Sequence, residues 1–209
     1  MVLAWPDRRT VRFVHEAESN GSGTLPGMEA TRTAHEALVD HLRTHAVRTD
    51  GPFNLRSGAV SSWYIDARQT TFDGAGAASV GAVVAAMLPA GVSAVGGLTM
   101  GADPIAVATA MAADPPLRAF SIRKDAKTHG TGGRIVGPLA AGDLVCVVED
   151  TTTTGGALLE AIGVLREAGV GVAAAIALVD RSEGAVAARL AHAGVPYSVA
   201  VSLADLGVG

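Results

Sequence analysis

The chain is expected to fold as a doubly wound α/β domain, a mostly parallel sheet flanked by helices. Three observations lead there. From residue 28 onward, apolar runs of strand length alternate with stretches of helical periodicity, the pattern of repeated βα units. The 209 residues suffice for one sizeable core. The two stretches richest in chemistry also follow strand-like runs, and such sheets bind ligands outside the carboxyl ends of their strands.

The elements are read in order. Residues 1–27 hold Pro6, the cations Arg8, Arg9 and Arg12, and the run Glu-Ser-Asn-Gly-Ser-Gly before Pro26. They contain no apolar signal core. The segment reads as an N-terminal extension, either a floppy tail or sequence upstream of a start at Met28. Ordering it would cost roughly 1–2 kcal/mol per residue, with little apolar surface to offset that. A chain beginning at Met28 is therefore expected to keep its fold and activity as a single domain, 28–209. Loss of either on truncation would show that the extension docks on the core.

Ala34, Ala37, Leu38, Leu42 and Ala46 mark an amphipathic helix. Trp63-Tyr64-Ile65 reads as a strand, and Val80, Val83, Val84, Met87 and Leu88 as a helix face. Residues 92–95 read as a strand entering a Gly96-Gly97 turn. Asp103-Pro104 then starts a helix as cap and first-turn proline. Residues 119–122, 145–148, 173–179 and 197–201 read as further strands, with helices near 156–168 and 183–193.

The densest signal is Val147-Val148-Glu149-Asp150-Thr151-Thr152-Thr153-Thr154-Gly155-Gly156-Ala157. An apolar run from Leu144 to Val148 ends on two carboxylates, a hydroxyl- and glycine-rich loop follows, and Ala157 opens a helical pattern. Loop amides and a helix N-terminus favour a phosphate, and glycine lets the backbone approach closely. The carboxylates suit sugar hydroxyls or a hydrated Mg²⁺ instead. One loop that binds a phosphate and a ribose diol fits a phosphorylated sugar. It is not a P-loop, because no Gly-Lys-Ser/Thr follows, and it lacks the G-x-G-x-x-G spacing. The plain alternative is a threonine-rich turn with two solvated acids.

The second signal is a bias. Lys and Arg number sixteen together, yet the only lysines are Lys124 and Lys127, within Arg123-Lys124-Asp125-Ala126-Lys127-Thr128-His129-Gly130. Lysine is a compact point charge on a flexible stem, suited to following a moving phosphate, whereas arginine is a planar fork. Gly130-Thr131-Gly132-Gly133 comes next, a hinge-like run. The pattern suggests a cationic loop that closes over a polyphosphate, against the alternative of a solvated charge cluster.

Composition narrows the class. Hydrophobic residues are 49% and aromatics only 4%, so the core is built from Ala, Val and Leu. No apolar stretch reaches the roughly 18 residues of a membrane span. A net charge of -4 argues against a general nucleic-acid surface. The single cysteine, Cys146, sits inside an apolar strand, and no disulfide framework or metal-ligand spacing occurs. That points to a reducing cytoplasm.

The 149–156 pattern resembles the phosphoribosyl-diphosphate loop of the type I phosphoribosyltransferases. With the lysine loop, Phe53-Asn54-Leu55-Arg56-Ser57-Gly58, Trp63-Tyr64-Ile65-Asp66-Ala67-Arg68 and Asp180-Arg181-Ser182-Glu183-Gly184, the chain is similar to orotate phosphoribosyltransferases over roughly residues 30–209. The resemblance implies a type I phosphoribosyltransferase-like sheet with a small N-terminal helix/strand hood. It also implies transfer of phosphoribose to orotate in the cytoplasm by a Mg²⁺-dependent homodimer with shared sites, with neither nucleic acid nor membrane as partner.

By the same resemblance, Arg123, Lys124, Lys127 and His129 would bind the diphosphate. Glu149 and Asp150 would meet the ribose hydroxyls. The turn from Thr151 through Thr152, Thr153, Thr154, Gly155 and Gly156 to Ala157 would take the 5′-phosphate. Thr153, Arg181 and Arg56 would hold orotate, with the Trp63-Tyr64 strand lining the base or else serving as core. Lys127 and Asp150 would be the catalytic residues, no Ser-His-Asp set is expected, and no side chain is assigned as a dedicated metal ligand.

Two departures stand out. Met100 lies where many relatives have a lysine, and Arg56 where lysine is frequent. His15, His35, His41, His45 and His192 match nothing in the family and read as solvated. A transferase for another base would leave Arg181 and segment 53–58 unexplained. A nucleic-acid-binding regulator on this fold would not need the lysine loop and should show a basic patch.

Overall fold

A computed structural model of the chain describes residues 26–54, 58, 60–127 and 133–209, with side chains except at 26–30 and 126–127. Residues 1–25 of the extension, Arg56, His129, the glycines at 130 and 132, and the Lys127 side chain lie outside the described residues.

Helix α1 (Pro26–His41) runs into one π-turn, Leu42–Ala46. Leu38, Leu42 and Ala46, spaced four apart, are all buried and Ala34 is half-buried, so most of the apolar stripe faces the core, while Ala37 is exposed beside it. Two short antiparallel pairs follow. β1 (Val47–Arg48) pairs with β4 (Tyr64–Ile65), and β2 (Phe53–Asn54) with β3 (Val60–Ser61). With α2 (Arg68–Thr71) and α3 (Gly74–Met87) they complete the N-terminal portion.

The remainder is β5 (Ala94–Leu98), α4 (Ala102–Ala112), β6 (Arg118–Lys127), β7 (Gly133–Val136), β8 (Leu144–Thr152), α5 (Gly156–Glu167), β9 (Gly171–Asp180), α6 (Ala185–His192), β10 (Tyr197–Val201) and α7 (Leu203–Leu206). Six strands form one sheet in the order β10-β9-β8-β5-β6-β7, parallel except for β7. The strand order reverses between β5 and β8, which opens a crevice at their carboxyl ends.

Strand alternation builds a core on each face. On β8, Val145 and Val147 pack with Leu158, Ile162 and Leu165 of α5 and Leu190 of α6. Cys146 and Val148 pack with Val80 and Val84 of α3 and Ile105 of α4. Full burial of each such aliphatic side chain contributes about 1.5–3 kcal/mol.

Four sequence expectations need correction. Gly96 and Gly97 lie inside β5 and make no turn. A methyl at Gly96 would sit 2.2 Å from the Phe120 carbonyl oxygen, and one at Gly97 equally close to that of Val148, so glycine serves close packing there. Asp103 is not the cap of α4. Gly101 is, and Asp103 and Pro104 fall within the first turn. β8 continues past the carboxylates to Thr152, because Thr151 and Thr152 pair with Val179 and Asp180 of β9. His35 and His41 are also not simply solvated. His35 Nε2 lies 3.2 Å from the Ala200 carbonyl oxygen. His41 bridges Thr70 Oγ1 (3.1 Å) and Asp73 Oδ1 (3.0 Å), and Asp73 caps α3.

Candidate active site

The crevice is assembled from the ends of β5, β8 and β9. At β8 the apolar run gives way to Glu149 and Asp150, both partly buried. Burial, then the neighbouring Asp150 charge, pushes the Glu149 carboxyl up to about 8 against the pull of Lys124. Burial also raises Asp150, opposed by the Thr151 N–H, which donates to its Oδ1 at 2.7 Å, and by the Arg68 charge. A methyl on Gly101 would fall 2.5 Å from Asp150 Oδ1, so the loop after β5 fits against this carboxylate only as glycine.

The Glu149 shift makes a pH prediction. Below its ordinary value of 4.5, the group is mostly protonated folded and unfolded alike. As pH rises from there to about 8, the unfolded chain ionises first and stability is lost. Glu149→Gln is therefore expected to raise the melting temperature of the ligand-free protein above pH 8 and hardly change it near pH 4. A pH-independent difference would contradict the burial argument.

The turn after β8 has features that suit an anion cradle. Gly155 has φ 71° and no side chain to cap α5. Its N–H donates to Thr152 Oγ1 at 3.1 Å, and Gly156 N–H to Thr154 Oγ1 at 3.4 Å. Arg189 of α6 donates to the Thr154 carbonyl oxygen and ties the turn down. Thr152 is buried, Thr153 and Thr154 are exposed, and Ala157 is half-buried in the first turn of α5. The positive end of the α5 dipole lies at this turn, an arrangement that favours an anion.

On β6, Lys124 is exposed and Arg123 half-buried. The Arg123 carbonyl oxygen accepts from Arg134 Nε at 2.7 Å, and Arg134 pairs with Glu160 of α5. The backbone of Lys127 pairs with Gly133 at the end of the hairpin. In the loop after β5, Thr99 Oγ1 donates to Asp103 Oδ2 at 2.6 Å, and Met100 is 57% exposed.

At the end of β9, Arg181 N–H donates to the Thr152 carbonyl oxygen at 2.9 Å, which joins this strand end to the cradle. The Arg181 guanidinium lies over the Trp63 ring, 4.5 Å from its centroid. Glu149 Oε2, Thr151 Oγ1, Asp103 Oδ1 and Arg181 Nε are buried without a hydrogen-bond partner among the described residues. Unpaired polar groups of this kind are expensive in a folded interior, and four of them border one crevice.

The structure therefore brings together Glu149, Asp150, the 151–157 turn, Lys124 and Arg181. Sequence reading missed Arg68, whose charge reaches Asp150, and Arg189, which has no local signal because it acts from 35 residues away.

No protein-family model matches the chain. Among curated proteins, the orotate phosphoribosyltransferase of Streptomyces avermitilis is 44% identical over 176 residues, 82% of this chain and 96% of that protein. That of Corynebacterium glutamicum is 43% identical, over 84% of this chain and 95% of the relative. Among solved structures, Mycobacterium tuberculosis orotate phosphoribosyltransferase in complex with 5-phospho-α-D-ribosyl 1-diphosphate is similar at a TM-score of 0.71 and 33% identity, covering 84% of this chain and 99% of that one.

Proposed function

The chain belongs to the orotate phosphoribosyltransferase family, and we propose from this premise how its crevice carries the reaction. The enzyme transfers the 5-phosphoribosyl group from phosphoribosyl diphosphate to orotate, giving orotidine 5′-phosphate and diphosphate in pyrimidine biosynthesis. The observation that supports the assignment of roles is that one crevice joins the turn at the N-terminus of α5, two partly buried acids beside it and Arg181, whose Nε has no partner among the described residues.

The cradle holds the 5′-phosphate, and Glu149 and Asp150 meet the ribose hydroxyls. Breaking the bond from C1′ to diphosphate builds positive charge on the sugar and negative charge on the leaving group. The acceptor oxygens of Glu149 and Asp150 near the ribose favour the first, and Arg123, Lys124, Lys127 and His129 favour the second. The chemistry needs electrostatics and positioning more than a nucleophile. Thr153, Arg181 and Arg56 hold orotate, and a carboxylate suits the arginine fork.

Mg²⁺ fits this donor set. Glu149 Oε2 is a hard oxygen without a partner, beside a second carboxylate, and no group of three or more acidic, histidine or cysteine side chains is gathered among the described residues. When bound, Mg²⁺ neutralises the diphosphate, and Glu149 and Asp150 would face it through its waters.

The reading includes a cytoplasmic homodimer with shared sites. The buried Cys146 thiol, pushed up to about 12 by burial, suits a reducing compartment. Among the described residues no helix is long and apolar enough to cross a membrane. Phe72, Val107 and Met111 are 58%, 52% and 76% exposed along an apolar groove between α3 and α4, a face on which a second copy can seat. Complementation tests the sharing. In a heterodimer of Lys127→Ala and Asp150→Asn subunits, one site collects both lesions and the other neither. Up to about a quarter of wild-type activity should return with random pairing of a two-fold dimer. No return after verified subunit exchange would assign the loop to its own subunit.

The activity itself is tested by the loss of orotate absorbance on adding phosphoribosyl diphosphate and Mg²⁺, with uracil, adenine and hypoxanthine as controls. Orotate alone should react. Consumption of a purine in its place would overturn the assignment.

A further inference from the structure

Arg181 is an unusual cation. No carboxylate pairs with it among the described residues, its Nε is buried without a partner, and its backbone is pinned by the Thr152 carbonyl oxygen. The group held against it is an aromatic face, the Trp63 ring at 4.5 Å. Trp63 is itself fixed. Its side chain packs against the core on the α3/α4 face of the sheet. Its backbone is clasped by Ser61, whose Oγ donates to the Trp63 carbonyl oxygen at 2.7 Å and accepts from the Trp63 N–H at 3.3 Å.

A guanidinium held over an aromatic ring makes that contact through its carbon and face, which leaves its N–H donors available at the edge. Such a fork meets a planar carboxylate in its own plane, by two parallel hydrogen bonds. An unstacked arginine would sample many rotamers and lose that entropy on binding. The ion–ring contact thus holds the cation before the ligand arrives and does not consume the groups the ligand needs.

We propose that Trp63 is a positioning residue that sets the enzyme's preference for a carboxylate-bearing pyrimidine by fixing the plane of Arg181. The inference rests on the reading that Arg181 holds the orotate carboxylate, and it gives the two-residue β4 strand of the hood a task. Trp63, the residue that leads into that strand, carries the ring that aims a side chain from the far end of β9. Asp180 steadies the same strand end, accepting from Tyr197 Oη at 2.9 Å and from Ser182 N–H at 2.7 Å.

The test is steady-state kinetics on full-length Trp63→Leu, Trp63→Phe, Arg181→Ala and the Trp63→Leu/Arg181→Ala double variant, each checked for thermal melting. Trp63→Leu should raise the KM for orotate roughly 3- to 30-fold, the range of a partly desolvated cation–ring contact. The KM for phosphoribosyl diphosphate should stay within about twofold, since the ring acts on the side chain that meets the base. Trp63→Phe, which keeps an aromatic face, should recover most of the loss. In the double variant the leucine should add nothing to the effect of Arg181→Ala, because the two residues then act as one unit.

Multiplicative effects in the double variant would overturn the inference, as they would make Trp63 a separate base contact. A fall in kcat and melting temperature with a parallel rise in both KM values, without rescue by phenylalanine, would also overturn it by leaving Trp63 a packing role alone. If Arg181→Ala raises the KM for orotate and Trp63→Leu does not, the positioning claim fails while the carboxylate reading stands. If Arg181→Ala itself leaves that KM unchanged, the carboxylate reading fails and the inference falls with it.

Discussion

Replacing Lys127 by alanine is expected to lower kcat by about 10²–10³, or ~2.7–4 kcal/mol of transition-state stabilisation, while orotate binding changes little. The reason is where charge moves. The leaving diphosphate gains negative charge only as the bond to C1′ breaks, so a cation at that position acts more strongly on the transition state than on the bound substrate. Lys127 ends β6, where pairing with β7 loses register between Ile122 and Lys127, and Lys124 stands exposed on the same strand. Arginine is used at the other cationic positions of the chain. Single-turnover and steady-state rates of the alanine variant measure the effect directly. Turnover near that of the wild type would remove the lysine loop from the mechanism.

Gly97→Ala should be the most damaging small change in the fold, by about 3 kcal/mol, the upper end for overpacking. The added methyl would meet the Val148 carbonyl oxygen at 2.2 Å and the Ala102 Cβ at 2.8 Å. Both belong to elements that cannot yield independently, since β8 is flanked by β5 and β9, and Ala102 opens α4. Relief would require parting β5 from β8 at the strand-order reversal, so activity should fall along with stability. Gly163→Ala is the control. It lies inside α5 with nothing within 4 Å of a new methyl, and removing a helical glycine should stabilise by roughly 0.5–1 kcal/mol. Urea midpoints compare the two, and equal midpoints would refute the close-packing account.

The parts legible in the sequence were those with short-range signals. The apolar run that ends on two carboxylates reads as a strand and becomes β8, and the glycine-rich stretch after it reads as a turn into a helix and leads into α5. Gly96-Gly97 misled because a glycine pair reads as a turn from local propensity. The true constraint, two carbonyl oxygens of neighbouring strands, comes from residues 24 to 51 positions away. His41 failed for a similar reason, as its partners Thr70 and Asp73 are brought to it by helix packing. Two-residue strands such as β2 and β3 have too few positions to show a period. The Trp63–Arg181 stack joins residues 118 positions apart and has no sequence signature.

On the function proposed above, the crevice reads a carboxylated pyrimidine through Arg181 and delivers phosphoribose to it from the turn at 152–156. The most direct measurement is kcat/KM for orotate and for uracil, in the wild type and in Arg181→Ala, at saturating phosphoribosyl diphosphate and Mg²⁺. A charge-assisted bond to the carboxylate is worth about 1.5–3 kcal/mol. The wild type should therefore favour orotate strongly, and the variant should lose roughly 10- to 150-fold of that preference, mainly through the KM for orotate. Uracil rivalling orotate in the wild type, or a preference untouched in Arg181→Ala, would contradict the account.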